Sequence, residues 1–169
     1  MIEIVILYVL NKYDATIYRI SKIIDELFFA YLKTSAGTIN PALKRLEKIE
    51  CVKFSEKMSD GGMKSKFYSI TPTGKKHLAE LLLADKSTNV YHTINEVKIL
   101  LFCKDILSVS ELIEFKENLL NNLELHKIKL ENGLKNEYIS LNNLQKQTVE
   151  ITLKEVNELI KILWKNTTL

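Results

Sequence analysis

Residues 34–49 constrain the fold of this chain more than any other segment. Thr34-Ser35-Ala36-Gly37-Thr38 combines hydroxyls that can cap a helix with a glycine that interrupts regular backbone. Beyond this turn, apolar residues recur at steps of three and four, which predicts a helix with one buried side. Those residues are Ile39, Leu43, Leu46 and Ile49, and Pro41 lies near the predicted start, where its missing N–H costs little.

The opposite side of this predicted helix is polar and basic, and it holds Thr38, Asn40, Lys44, Arg45 and Lys48. Together with Ser35 in the preceding turn, these side chains can meet phosphates or base edges. On spacing alone, a solvated surface helix explains the same charges, and Ser35 and Thr38 can serve as capping groups only.

Two helices are predicted before this segment. Ile2 to Leu10 is apolar almost throughout and is interpreted as a buried helix. Asp14 is the predicted cap of a second helix, whose apolar stripe is Ile17, Ile20, Ile24, Leu27 and Tyr31. Two short helices joined by a tight turn, the second one basic on its outer side, predict a helix-turn-helix.

A β-hairpin is predicted next. Val52 to Met58 and Lys66 to Ile70 read as short strands, and Ser59-Asp60-Gly61-Gly62 supplies the residues that a reversal requires. Such a hairpin after a helix-turn-helix is a wing, and Lys57, Lys64 and Lys66 would place charge on it beside a phosphate backbone. Thr71-Pro72 then predicts the start of a helix that ends near Ala84.

The second half has the composition of long helices. A polar stretch at 85–89 is the predicted boundary, which gives a winged helix-turn-helix domain at 1–86 and a helical domain at 87–169. Residues 1–86 hold 14 Lys/Arg against 10 Asp/Glu, and 87–169 hold 10 against 11, so the basic excess lies in the first domain. Helices are expected from about Thr93 to Leu107, and from a Ser108-x-x-Glu111 capping box to about Asn136.

The apolar spacing of the last two helices predicts more buried surface than one hairpin provides, so we expect a homodimer. The predicted dimer residues are Leu112, Leu119, Leu123, Val149, Leu153, Val156, Ile160 and Leu163. Trp164 is a candidate for stacking an aromatic effector, although a single Trp at helical spacing is more often part of a core.

Composition and motifs argue against other classes. Five glycines, two prolines and the helical spacing predict a mainly α fold with a small β-hairpin wing. Apolar runs are too short for a membrane span, and no leader is recognisable. Cys51, Cys103 and the three histidines lack metal-ligand spacing, and no cofactor, phosphate-loop or nucleophile motif occurs. We therefore expect a cytoplasmic protein that is not an enzyme and has no metal or cofactor.

Two ordered motifs resemble the PadR transcriptional regulators. Ser35-Ala36-Gly37-Thr38-Ile39-Asn40-Pro41-Ala42-Leu43-Lys44-Arg45-Leu46-Glu47 is similar to the recognition-helix motif of that family, and Lys66-Phe67-Tyr68-Ser69-Ile70-Thr71-Pro72-Thr73-Gly74 to its second wing strand and next helix start. Tyr18 matches a tyrosine typical of the second helix. The C-terminal half resembles, more weakly, the longer-tailed subgroup whose C-terminal helices dimerise.

The chain departs from the family pattern at several positions. Asn40 stands where Tyr is common, Ile17 where Gly is common, and Glu50 where Gly usually ends the recognition helix. The wing sequence Gly62-Met63-Lys64-Ser65-Lys66 is less arginine-rich than usual. The operator therefore cannot be inferred from the family.

The resemblance implies a DNA-binding regulator, most simply a repressor that binds an inverted repeat in double-stranded DNA as a homodimer. The residues assigned to DNA are Tyr18, Ser35, Thr38, Asn40, Lys44, Arg45, Lys48, Lys64 and Lys66. The family also implies a small aromatic or other hydrophobic effector in some members. Two alternatives are a winged-helix module that docks another protein, and a ligand-binding protein or enzyme that no longer contacts DNA.

Overall fold

The computed structural model describes residues 1–58, 64–84, 90–135 and 141–165. The predicted wing turn at 59–62 and the predicted domain boundary at 85–89 lie outside these residues. Within them, the chain is mainly helical with one two-stranded antiparallel sheet, as the sequence predicted.

The elements follow one another in the predicted order. Their bounds are α1 Ile2–Lys12, α2 Ile17–Leu27, α3 Ala36–Lys48, β1 Val52–Met58, β2 Lys64–Ile70, α4 Pro72–Leu83, α5 Val90–Cys103, α6 Val109–Lys135 and α7 Asn143–Lys165, with a 3₁₀ turn at Lys104–Ile106. The fifth helix therefore begins and ends earlier than the predicted Thr93 to Leu107, because the chain tightens into the 3₁₀ turn after Cys103.

The chain forms two compact units. One comprises Met1–Ala84 with Lys98–Ile106, and the other comprises Asp85–Val97 with Leu107–Leu169. The end of α5 thus belongs to the first unit and its beginning to the second. None of the helices in the described ranges is long and apolar enough to cross a bilayer.

Helix α1 is the centre of the first unit. Its seven residues from Ile4 to Leu10 are all buried, which explains why the sequence there shows no polar face. Helices α2, α3 and α4 and strand β2 all contact α1. Burial of apolar side chains on all its sides is the main stabilising contribution of this helix.

Helix α2 begins later than predicted. Thr16 is the N-cap and accepts a hydrogen bond from the Arg19 N–H, so the assignment of Asp14 as the cap was wrong. The reason lies in Ala15, whose backbone N–H and C=O both pair with Tyr68 of the wing and hold residue 15 extended. The predicted stripe is correct at its centre, where Ile20 and Ile24 are buried, but Leu27 is exposed and Tyr31 follows the helix.

Helix α3 buries Ile39, Leu43 and Leu46 as predicted, and it buries Ala42 in addition. It begins at Ala36, so Pro41 lies in the second turn instead of near the start, and the Gly37 carbonyl lacks its helical donor. Ile49 was predicted to be buried but is the half-exposed C-cap residue.

The end of α3 is a Schellman motif. The Cys51 N–H donates to the Leu46 carbonyl and the Glu50 N–H to the Glu47 carbonyl, both at 2.9 Å. Glu50 has a φ of 57° and is the single non-glycine residue with positive φ in the described ranges. Glu50 therefore takes a left-handed conformation that glycine adopts more easily.

The hairpin pairs Val52 with Ile70 at its base and Met58 with Lys64 at its outer end. Thr71 caps α4 by accepting from the Gly74 N–H and donating to the Glu50 carbonyl, as the Thr-Pro signal predicted for the helix start. A Cβ on Gly74 would collide with the Cys51 carbonyl oxygen and lie 2.8 Å from Ile70 Cγ1. Only glycine allows α4 to approach the hairpin base this closely.

In the second unit, α6 and α7 pack along each other. The predicted capping box starts α6, because the Ser108 N–H donates to Glu111 Oε2 and the Glu111 N–H to Ser108 Oγ. The Ser108 hydroxyl and then the Ser108 N–H donate hydrogen bonds to the Glu111 carboxylate, and they hold its pKa below its ordinary value. An equivalent box, which the sequence analysis did not predict, joins Asn142 and Gln145 at the start of α7.

Candidate nucleic-acid interface

The outer side of α3 is the most coherent functional surface of the first unit. Every predicted residue on it is exposed: Thr38, Asn40, Lys44, Arg45 and Lys48. At 100° per residue, Lys44 and Lys48 lie near its midline, with Asn40 on one edge and Arg45 and Thr38 on the other. The midline also holds Gly37, which has no side chain, and Pro41, whose ring is short, so little projects from this part of the helix surface.

Two of the three α3 cations are not neutralised within the described part of the chain. Lys44 and Lys48 make no ion pair or hydrogen bond there. Arg45 differs, because its Nε donates to Glu3 Oε1 on α1 at 2.7 Å. The face therefore has two ammonium groups without a partner among the described residues and one guanidinium held through its Nε.

The start of α3 contributes hydroxyls. Ser35 is the N-cap residue, and its Oγ lies 3.2 Å from Thr38 Oγ1 instead of capping a backbone N–H. The first backbone N–H groups of a helix have no acceptor within it, point out of its N-terminal end and favour anionic groups. Ser35 and Thr38 thus lie where a phosphate would meet this end of the helix.

The wing has two distinct faces, because alternate residues of a strand point to opposite sides. Lys66 lies over the ring of Phe54, with Nζ 4.0 Å from the ring centroid, and Lys64 lies on the same face at the outer end. On the other face Lys57 lies 5.5 Å from the Phe67 centroid and 3.9 Å from Asp14 Oδ2. An aromatic ring therefore directs one lysine on each face, Lys66 on the first and Lys57 on the second.

Tyr18 is 78% exposed in the first turn of α2. It lines a shallow groove of about 550 Å³ together with Thr16, Ile17, Ser65, Lys66 and Tyr68. The groove joins the start of α2 to the wing, so Tyr18 and Lys66 lie on one continuous surface. Ile17, one of the departures from the family pattern, forms part of its wall.

The structure thus brings Tyr18 and Lys66 together and places the α3 residues on one face. Sequence reasoning missed two residues beside this surface, Glu3 and Thr16. Thr16 could have been found as an N-cap, because a threonine hydroxyl commonly accepts the backbone N–H three residues later, which here belongs to Arg19. Glu3 gave no signal, because its contact with Arg45 spans 42 positions of the chain.

The predicted dimer residues of the second unit differ in exposure. Leu119, Leu123, Val156 and Leu163 are fully buried within the single chain, Ile160 is 7% exposed, and Leu112, Val149 and Leu153 are half-buried. Other large apolar side chains in this unit remain exposed: Val109, Ile113, Leu125, Ile128, Leu144, Ile151, Ile162 and Trp164.

Trp164 lies in a groove of about 370 Å³ between α6 and α7. Its other lining residues are Val109, Leu112, Ile113, Lys116, Glu117 and Leu120. Lys116 Nζ lies 5.9 Å from the Trp164 ring centroid, so the groove combines an apolar wall with one cation. In the described ranges, no group of three or more His, Cys, Asp or Glu residues could hold a metal ion.

Helices α1 to α4 with the hairpin between α3 and α4 define a winged helix-turn-helix protein. The model of the transcriptional regulator PadR-like family matches residues 6–80. A PadR-like transcriptional regulator from Bacillus cereus is 32% identical over 46% of this chain and 74% of its own, with a TM-score of 0.41. A PadR family transcription regulator from Clostridium difficile is 33% identical over 47% and 81%, with a TM-score of 0.42.

This chain therefore belongs to the PadR-like family of transcriptional regulators, as the sequence motifs indicated. Bacillus subtilis PadR, crystallised in complex with operator DNA, aligns over 96% of this chain and 94% of its own, at 16% identity and a TM-score of 0.46. A search of curated proteins gave no match.

Proposed function

We propose that this regulator binds a specific operator in double-stranded DNA as a homodimer and represses transcription from that promoter. Residues 1–86 would bind DNA and residues 87–169 would dimerise. Each α3 would enter a major groove, and the two helices would lie about 34–36 Å apart on an inverted repeat. A bound dimer would then block access of polymerase to the promoter.

The observation that carries this proposal is the exposed face of α3. Lys44 and Lys48 extend from its midline without an internal partner in the described residues. Unpaired cations on a helix face supply the phosphate attraction that dominates DNA affinity. Asn40 and Arg45 on the two edges have side chains that can pair bidentately with adenine and guanine.

The wing and the start of α2 would hold the backbone beside the groove. Lys64, Lys66 and Tyr18 would contact phosphates there, and Ser35 and Thr38 would do so at the α3 start. Because Lys66 is already directed by Phe54, less conformational freedom is lost when it binds.

Dimerisation would use the exposed apolar residues of α6 and α7, joined by the half-buried Leu112, Val149 and Leu153. The fully buried residues of the predicted set, such as Leu123 and Val156, would support these helices from within the unit. An apolar surface of this kind on both helices is what a second copy of the chain would cover.

The groove at Trp164 would take an effector of aromatic or other hydrophobic character. Such a ligand would release DNA only if it bound better to a dimer whose recognition helices fit the operator poorly. A ligand with equal affinity for both forms would change nothing.

Charge reversal on α3 tests the DNA proposal. The double variant Lys44→Glu, Arg45→Glu should abolish enrichment of any duplex from a randomised library, while its mass in light scattering stays that of the wild type. The control is Lys75→Glu with Lys76→Glu on α4, which changes the net charge equally and should still select duplexes. Equal loss in both variants, or no enrichment by the wild type, would favour a protein-docking module instead.

A further inference from the structure

Arg45 is the one α3 cation with a defined internal partner in the described part of the chain. Its Nε donates to Glu3 Oε1 at 2.7 Å, and the two side chains are 60% and 27% exposed. Glu3 lies in the first turn of α1, whose following residues are buried in the core of the first unit. The more enclosed, helix-bound carboxylate therefore holds the more exposed guanidinium.

The contact leaves the functional end of Arg45 available. The hydrogen bond uses Nε, and the terminal nitrogens Nη1 and Nη2 make no hydrogen bond to any described residue. These two nitrogens form the fork that binds two oxygens of a phosphate, or O6 and N7 of guanine. Glu3 thus occupies the side of the guanidinium and leaves its end for a ligand.

We propose that Glu3 is a positioning residue for DNA recognition, which fixes the orientation of the Arg45 fork on the α3 face. This inference rests on the proposed function, since it requires that α3 contacts DNA. A long arginine side chain loses conformational freedom when it binds, and an existing hydrogen bond means that less is lost on binding. Lys44 and Lys48, which have no such partner, supply charge without a fixed direction.

A simpler role for Glu3 predicts the opposite sign. If its carboxylate only offset the charge of Arg45, removing it would strengthen attraction to every duplex. If it orients the fork, removing it weakens binding where Arg45 reads a base and has less effect elsewhere. The ratio of specific to non-specific affinity separates the two, because a general charge effect cancels in that ratio.

The test is a double-mutant cycle with Glu3→Ala and Arg45→Ala. The probes are a duplex selected by the wild-type protein from a randomised library and a scrambled duplex of the same composition. We expect Glu3→Ala to lower the affinity ratio about three- to tenfold, the range expected for ordering one side chain. In the Arg45→Ala background the same change should have no further effect on the ratio.

Two controls accompany the cycle. Glu80→Ala on α4 removes a carboxylate that pairs with Lys76 and His77, and it should leave the ratio unchanged. Glu3→Gln keeps an oxygen that accepts from Nε and should retain most of the ratio, which also separates positioning from any folding defect of Glu3→Ala.

Three results would overturn the inference. They are an unchanged ratio in Glu3→Ala, equal strengthening on both duplexes, and an equal loss with or without Arg45. If the wild-type protein selects no duplex, the proposed function itself fails, and the role of Glu3 fails with it. If selection succeeds and Glu3→Ala behaves as wild type, only the positioning role is lost.

Discussion

Replacement of Glu50 by glycine should stabilise the first unit. Glu50 follows α3 with a φ of 57°, and the Schellman hydrogen bonds run from its own N–H to the Glu47 carbonyl and from the Cys51 N–H to the Leu46 carbonyl. The native backbone there is the one that glycine adopts without a Cβ penalty. The chain thus has a residue with a Cβ at a position whose backbone conformation favours glycine.

The expected gain follows from two opposing terms. A left-handed conformation costs a residue with a Cβ about 1–2 kcal/mol. Glycine has greater conformational entropy in the unfolded chain, and this offsets about 0.5–1 kcal/mol of the gain in stability. We therefore expect Glu50→Gly to raise the free energy of unfolding by about 0.5–1 kcal/mol.

Denaturant unfolding followed by circular dichroism, at one fixed protein concentration, measures this difference. Glu50→Ala is the matched control, because it removes the carboxylate but keeps the Cβ, and it should gain much less than Glu50→Gly. Equal gains in the two variants would assign the effect to charge at the helix C-terminus instead of backbone strain. A loss of stability in Glu50→Gly would refute the argument.

Three further predictions concern packing, ionisation and assembly. Gly74→Ala should lower the free energy of unfolding by about 1–3 kcal/mol, since its methyl group would collide with backbone. Gly37→Ala should raise it by about 0.5–1 kcal/mol, because a Cβ there meets only one ordinary contact, at 3.6 Å. Thermal unfolding of both variants checks this, and similar losses in the two would contradict it. Burial raises the pKa of the Cys103 thiol to about 12 from an ordinary value of 9.0. The thiol therefore ionises at lower pH in the unfolded chain than in the folded one, and the free energy of unfolding should fall as the pH rises from about 9 toward 12. A Cys103→Ser variant with the same pH dependence of unfolding would exclude this thiol as the cause. Ile151→Glu should weaken dimerisation at least tenfold, because burial of such a side chain contributes about 1.5–3 kcal/mol. Sedimentation equilibrium measures the dimer dissociation constant, with the exposed Glu150→Gln as the control. An unchanged dimer in Ile151→Glu would place the interface elsewhere.

The sequence predicted the elements whose signals are local. The spacing of Ile39, Leu43 and Leu46 identified the buried side of α3 and, by exclusion, the exposed basic side. Ser108 with Glu111, and Thr71 with Pro72, located two helix starts because caps depend on residues within one turn.

The features that the sequence did not predict depend on distant contacts. Asp14 has a good capping side chain, but the pairing of Ala15 with Tyr68 keeps the chain extended for two more residues. The contact of Glu3 with Arg45 is of the same kind, since no local pattern links α1 to the outer side of α3. The dimer residues were predicted from spacing alone, which cannot distinguish burial within a chain from burial between chains.

We propose that the exposed face of α3 binds DNA in a sequence-specific manner. Fluorescence anisotropy should measure wild-type affinity for a duplex from the region upstream of its own coding sequence, for a library-selected duplex and for a scrambled control, each at two salt concentrations. We expect tighter binding to the selected duplex than to the control. We also expect log affinity to fall with log salt at a slope of about −0.9 for each phosphate contacted. Absence of binding to all three duplexes at low salt would contradict the claim.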